Sequence, residues 1–462
     1  MTENPLTDLP VTTGPLFRPG DPGYAEEIAG FQTAYTHRPA LVVGAAHAED
    51  VRAAVAFAAR HRLPIAVQAT GHGLSVPVRD GVLITTGRMD TVAVDPVART
   101  ARVGAGVRAG ALVTAAAAHG LAPLNGSSLS VGVVGYLLGG GLGLLAREFG
   151  YAADHVRSVE LVTADARRRT LTPADELFGA VLGSGGNFGV VTGVELDLLP
   201  VSEIYGGQLI FDTDLVEDAL EAWRVWTAAV PDTLTSSVAV LTFPDLPALP
   251  EPLRGRHVAA IRVAFHGPAA EGERLVAPLR AVGERLRDDL RVLPYADSHT
   301  IYSDPDFPHA YAATNALLSE LTAKTVAALR DTTAPGREVE AVVDIRHLGG
   351  ALRGGPARLA VDHRDAAYAV RVITGAEGER APAGLARVRE ALAPWTIGHS
   401  LNFLYGAGAA ADEAQTRAGY APATYARLAA LKAEHDPRNL FRCNRNIRPA
   451  RTVAASGPEP LA

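Results

Sequence analysis

QATGHG, Gln68–Gly73, follows the apolar run RLPIAV and precedes LSVPVRDGVLITT. A histidine set between two glycines, in a loop between two apolar runs, asks for a reason. Glycine admits positive φ and lets another backbone or a flat ligand come within contact distance, and successive N–H groups in such turns form anion-binding nests. Two further loops share this texture: SSLSVGVVGYLLGGGLGLLAREFG over 127–150 and GAVLGSGGNFGVVTG over 179–193. A single loop of this kind is explained by tight turns alone. Three of them in one lobe suit a ligand that carries a pyrophosphate.

Outward from the histidine, AHAEDVRAAVAFAARHRLPIAVQ is expected to form a helix with Val51, Val55, Ala58 and Ala59 on one face, running into a short strand. IAV, GVLITT, VAVDPVARTARVGAG, VELVTAD and GVVTGVELDLL read as β segments rich in valine, isoleucine and threonine, with a hairpin turn at DPVART and an alanine-rich helix at Gly110–Ala118. VGAGVRAG, Val103–Gly110, misses the G-x-G-x-x-G spacing by one residue and has no acidic residue at the distance a Rossmann unit needs. After Pro200 longer helices alternate with strands, which predicts a second α+β lobe with an antiparallel sheet. LPALPEPLRG, Leu246–Gly255, and GAEGERAP, Gly375–Pro382, read as loops, and YARLAALKAEHDPRNLFRCNRNIRPA as a helix stopped by a proline turn and followed by a docked tail.

The chain has 462 residues, 48% of them hydrophobic. Single cores rarely grow past roughly 250–300 residues, so two lobes are expected. Lys+Arg 43 against Asp+Glu 50 leaves a net charge of −7 and no basic field for nucleic acid. The stretch Val131–Ala146 is apolar but is cut by six glycines and falls short of the ~20 residues a bilayer span requires. MTENPLTDLPVTTGPLFRPG lacks a cationic start followed by an apolar run, so a cytoplasmic protein is expected. Cys443 is the one cysteine, which excludes an intrachain disulfide and a multi-cysteine metal site. HExxH is absent, and no metal is expected.

RPALVVGAAHAEDVRAAVAFAARHRLPIAVQATGHG, VGVVGYLLGGGLGLLAREFGYAADHVRSVELVTAD, ELFGAVLGSGGNFGVVTGVELDLLP and YARLAALKAEHDPRNLFRCNRNIRP resemble, in order, the successive blocks of FAD-linked oxidases of the berberine-bridge-enzyme type, within the vanillyl-alcohol-oxidase or PCMH-type fold. The resemblance runs over nearly the whole chain. It implies an α+β protein with a two-part FAD-binding domain, residues 1–200 and 405–462, enclosing a substrate domain, residues 201–404, whose antiparallel sheet is flanked by helices. In that family the histidine of the G-H loop is bonded to the 8α-methyl of the flavin, and His72 holds the matching position. Many relatives add a second bond from a cysteine where this chain has Ser128, and Cys443 lies elsewhere in the sequence. The resemblance therefore implies FAD tethered through His72 alone.

The same resemblance places cofactor contacts at Thr70, Gly71 and Gly73, at Ser128, Val131, Gly132, Gly135, Gly139, Gly140 and Gly141, at Gly189 and Val190, and at Asn444 and Asn446 in the tail. In the family a valine before the glycine of the second loop goes with oxygen access and a bulkier leucine with dehydrogenases. Val131 stands there, which implies an oxidase that passes electrons to O2 and yields H2O2.

The substrate side is harder to read. AVVDIRHLGG sets Asp344 and Arg346 on one strand face and His347 on the other. Tyr405 and Asn402 in HSLNFLYG are the leading catalytic candidates, with Asp344 and His363 next; Asp362, Arg364, His399, Tyr420 and Tyr425 are weaker choices. Asp154 and His155 either contact the cofactor or cap a turn. His363–Asp365 spells HRD without the other kinase elements, and GSSLS is not G-x-S-x-G. The expected function is oxidation of a small or medium organic substrate by hydride transfer, with secondary-metabolite tailoring suggested by relatives from GC-rich genomes. A carbohydrate oxidase acting at an anomeric carbon, a flavin dehydrogenase of the same fold and a catalytically silent FAD-binding protein are the alternatives.

Overall fold

The computed structural model describes residues 8–451 apart from 248, 335, 337–339, 357, 377–379 and 405–412. Among these the chain forms three sheets. Leu41–Gly44, Val82–Thr85 and Ile65–Gln68 run parallel, with Leu16–Phe17 antiparallel on the outer edge. Parallel strands need a crossover, and the Ala48–His61 helix supplies the one from Leu41–Gly44 to Ile65–Gln68, across the central strand, burying Val51, Val55 and Ala58 as its periodicity predicts. Glu49 and Asp50 stand in its first turn, where acidic groups complement the helix dipole. Asp50 also accepts the N–H groups of Thr13, Gly14 and Ala46, and so ties the N-terminal segment down.

The second sheet is antiparallel, in the order Val92–Asp95, Thr100–Gly104, Val190–Asp197, Val156–Val162, Arg168–Leu171. Its first pair is the hairpin expected at DPVART. The expected helix beside it spans Ala109–Ala117. The glycine loops over 68–73, 127–150 and 179–193 all contribute residues to a common cleft.

The third sheet holds nine strands, all antiparallel where they pair, including Glu203–Phe211, His257–Phe265, Leu234–Thr242, Ala341–His347, Tyr368–Thr374 and Ala312–Leu318 in that order. The period of two divides its faces. Val238, Ile261, Val263, Val343, Ile345, Val370 and Val372 point to one side and pack with Trp223, Val276, Leu329 and Leu385 of four covering helices. Those helices are Val216–Trp226, Ala269–Arg280, Ala323–Thr333 and Arg380–Leu392. The last begins inside the segment read as a loop over 375–382, because the run from Ala381 sets Leu385, Val388 and Leu392 at helical spacing against the sheet. The opposite face carries Ser237, Arg262, Asp344, Arg346 and Arg371 and looks toward the glycine loops.

The C-terminal segment returns to the first two sheets. Phe441 and Leu440 enter the core under the parallel sheet, and the Leu440 carbonyl accepts the Ile65 N–H at 2.9 Å. The Pro422–His435 helix holds Lys432, whose side chain is 0% exposed. Its Nζ lies 2.8 Å from Asp436 Oδ2 and donates also to the carbonyls of Asn187 and Phe441. Asp436 in turn accepts the N–H groups of Leu440 and Phe441. Asn187 completes the joint, donating to the Arg445 carbonyl at 2.9 Å and accepting the Ile447 N–H at 2.8 Å. Among the described residues no helix is long and apolar enough to cross a membrane.

Removing one member of a buried, hydrogen-bonded ion pair leaves the other charge without compensation. Lys432→Met should therefore destabilise the protein by about 3–5 kcal/mol, read as a lower denaturation midpoint in urea. An unchanged midpoint would show that the tail does not depend on this pair.

Candidate active site

The three glycine loops, the returning tail and the polar face of the large sheet enclose a cleft of ≈ 490 Å³. Its floor is built from backbone because glycines bring the chain close. At Gly73, Gly135, Gly185 and Gly186, all on the lining, a Cβ would meet no protein atom within 4 Å. The N–H groups of Gly71, His72 and Gly73 donate to no protein group among the described residues. Asn125 Oδ1, Tyr136 Oη and Asn444 Oδ1 on the lining are also buried without a hydrogen-bond partner among the described residues. Orphaned buried groups and an open glycine cradle are what a bound polar ligand with a flat ring would complete. The residues fit FAD.

His72 stands on the cleft wall. Phe31 stacks on its ring at 3.8 Å and 12°. Its Nδ1 is 2.9 Å from Thr70 Oγ1 and its Nε2 3.1 Å from Ser130 Oγ, which is 3.0 Å from Ser128 Oγ. The Tyr311 hydroxyl donates to the His72 carbonyl at 2.7 Å. Burial, with Arg108 and His309 nearby, pushes the ring's pKa down to about 4, against a smaller opposing pull from Asp304. The imidazole is therefore neutral at physiological pH, with a lone pair on one nitrogen. Acidification from the ordinary 6.5 toward 4 protonates this histidine in the unfolded chain before the folded one, so its burial costs stability across that window.

Two families match the sequence by segment: the FAD binding domain over residues 39–172, and berberine and berberine-like over residues 411–448. This chain is an FAD-dependent oxidoreductase with a berberine-like C-terminal segment. It is similar to (R)-6-hydroxynicotine oxidase of Paenarthrobacter nicotinovorans, 29% identical over 94% of this chain and 97% of that protein. The crystal structure of 6-hydroxy-D-nicotine oxidase from Arthrobacter nicotinovorans superposes with a TM-score of 0.82 at 26% identity, covering 96% of this chain and 100% of the other. Chitooligosaccharide oxidase, at 19% identity and a TM-score of 0.82 over 95% of this chain and 98% of the other, shares the fold.

In this oxidoreductase Thr70, Gly71, His72, Gly73, Ser128, Val131, Gly132, Gly135, Gly139, Gly189, Val190 and Asn444 all line the cleft. Gly140, Gly141 and Asn446 do not. Gly140 and Gly141, with φ of 102° and 78°, turn the chain, and a Cβ on Gly141 would come within 2.8 Å of Ala152 Cβ and Tyr136 Cε1. Asn446 sits beside the lining, its Oδ1 buried and unpartnered among the described residues. Cys443 is on the cleft wall. Burial raises its thiol to about 11, so it is held in the unreactive protonated form.

The catalytic expectations fare differently. Tyr405 lies outside the described residues. Asn402 lines the cleft, but its Nδ2 donates to the Tyr136 carbonyl at 2.9 Å, so it fastens the Leu401–Phe403 turn to the second glycine loop. Asp344 does not reach the lining: it is 1% exposed and lies among Arg346 at 2.9 Å, Arg371 at 3.2 Å and Arg262 at 3.4 Å. These arginines overcome its burial and hold its carboxyl down to about 2, which leaves no basicity for proton abstraction. His363 packs against Gly398, away from the cleft, and burial lowers its pKa. Asp362 and Asp154 cap turns: the former takes the Ala421 N–H ahead of the C-terminal helix, the latter takes the Tyr151 N–H and pairs with Arg364. His155 lines the cleft, while the Tyr420 hydroxyl donates to the Gly183 carbonyl.

Several lining groups escaped the reading of the sequence. Tyr136, Asp304, His309, Tyr311, Arg371 and Phe403 come from four separate segments. Ser130 stood in the quoted loop, but only the fold shows that it touches His72.

A side chain at position 139 has no room, because a Cβ there would overlap Asn402 Oδ1, whereas the backbone φ of −103° suits any residue. Gly139→Ala should lower the melting temperature, and adding Asn402→Ala should recover part of the loss in differential scanning calorimetry. Strictly additive losses would exclude this contact as the cause.

Proposed function

We propose that this oxidoreductase is an oxidase carrying FAD bonded through His72 alone, which takes hydride from a small organic substrate and returns the electrons to O2. The observation that carries the reading is the neutral His72 ring, stacked on Phe31 and fixed by Thr70 and Ser130 on the wall of the glycine-lined cleft. A nucleophilic nitrogen must be unprotonated and oriented, and both conditions hold at His72. FAD, when bound, supplies the two-electron acceptor at the flavin N5. Residues 1–200 and 405–462 would then form the flavin-binding part and 201–404 the substrate part, in keeping with the tail's return to the parallel sheet.

The chain's own groups have separate tasks. The open glycines and the free N–H groups of 71–73 hold the cofactor's anionic and planar parts. Asn402 locks the substrate-side turn to the cofactor loop. Tyr136, whose burial raises its pKa, stays protonated and can donate but not abstract. The carboxylate of Asp304, bonded by Ser127 Oγ at 2.5 Å, offers a proton acceptor on the lining. Val131 occupies the lining where a longer side chain would narrow the approach of oxygen.

His72→Ala should abolish the yellow colour that stays with acid-precipitated protein, and the tryptic peptide spanning position 72 should lose its flavin mass. Flavin retained in acid by that variant would refute the single tether. For the electron acceptor, anaerobically reduced wild type should reoxidise rapidly on admitting air with release of H2O2, and Val131→Leu should slow this step. Slow wild-type reoxidation would instead identify a dehydrogenase.

A further inference from the structure

The polar face of the large sheet carries more positive charge than its own carboxylate can balance. Register sets Arg346 and Arg262 across from Ser237, and Arg371 across from Asp344, so the four charged groups form one patch on adjoining strands. Asp344 is the only carboxylate of that patch and is shared by all three guanidinium groups. Burying an ion costs several kcal/mol unless it is paired, and Arg346, the buried member of the three, is the one that calls for a further anion, since Arg262 and Arg371 keep some contact with solvent.

Arg346 is the group with capacity to spare. Its Nε donates to Asp344 Oδ2 at 2.9 Å, and neither terminal nitrogen has a hydrogen-bond partner among the described residues. Tyr302 and Phe403 lie against the guanidinium, which sits 5.2 Å and 5.1 Å from their ring centroids. Phe403 also faces Arg371, at 5.1 Å. Both arginines line the cleft, together with the apolar Ile373, Leu401 and Phe403. The lining carboxylates among the described residues are Asp304, which accepts from Ser127 and acts electrostatically on Arg346 without a hydrogen bond to it, and Asp197, paired with Arg157 at 2.6 Å; with Asp344 and Asp304 against three arginines, one positive charge is left over.

We propose that the Arg346 fork, with Arg371 beside it, is the recognition site for a carboxylate on the substrate, so that this oxidase acts on organic acids with an apolar or aromatic body. The proposal rests on the flavin-oxidase reading for the site's location but not for its chemistry. A planar fork with two free donor groups matches a carboxylate bidentately, and desolvation by the aromatic pair strengthens the contact. A neutral sugar or an amine substrate would leave the cations unbalanced.

The test is calorimetric titration of the FAD-loaded protein with benzoate, benzamide and benzylamine, with the visible flavin spectrum recorded alongside. Benzoate should bind at least about tenfold more tightly than the other two, as expected for one charge-assisted bidentate contact, and should perturb the flavin bands. Arg346→Gln should weaken benzoate by a similar factor and leave benzamide unchanged. Arg346→Lys keeps the charge opposite Asp344 and so preserves the fold, yet loses the fork; it should show an intermediate loss. Equal affinities for the three probes would overturn the proposal. So would an unchanged benzoate affinity in both variants, or a shifted flavin midpoint potential in Arg346→Gln with benzoate binding intact, which would give the guanidinium to the flavin instead. Failure of the oxidase reading looks different: protein with no flavin bands, or bands that O2 does not restore after reduction, leaves the heats of benzoate binding to be read on their own.

Discussion

The cleft depends on a joint buried far from the chemistry, between Lys432, Asp436 and Asn187. Two opposite charges with no exposure are stable only because every remaining donor and acceptor finds a backbone partner. Those partners are the third glycine loop on one side and the tail on the other, so satisfying the ion pair is the same event as docking the tail. Cys443, Asn444 and Arg445 thereby reach the cleft wall, although they lie more than half the chain away from His72 in sequence.

A second division of labour follows from the pleat of the large sheet. One face is apolar and is committed to four helices, with Trp223 wholly buried there and bonded through Nε1 to Ser236. The other face is thereby free to carry charge, and it carries arginines. The helices make the sheet rigid, and the rigid sheet holds its polar face at a set height over the glycine loops. Asn402 pins the two together from above, through a side chain that closes on Gly139.

Much of this was legible in the residues. The first long helix and the strand after it, the DPVART hairpin and the docked tail follow from periodicity and turn chemistry, which are local, whereas the parallel pairing of the first sheet does not. The glycine loops could be recognised for the same reason: a positive φ or a missing Cβ is a requirement at one position. Gly140 and Gly141 show the limit of that reading, since their φ angles serve the turn and not the lining. Asp344 shows another. As a carboxylate on a strand facing the cleft it looked like a base, but strand register surrounds it with three guanidinium groups, and its proton affinity goes with them.

By itself, then, the sequence pointed to a pyrophosphate-bearing ligand through its glycine loops and to an antiparallel second lobe through its alternating strands and helices, while its resemblance to FAD-linked oxidases implied the cofactor. Tertiary structure alone decided which polar groups meet. The Arg346 fork, Asp304, Tyr311 and Ser130 acquire their surroundings from strands and loops that are distant in sequence, and an electrostatic environment is a sum over neighbours in space. No reading along the chain could assign those neighbours before the sheet had set its register and the buried Lys432 had drawn the tail home.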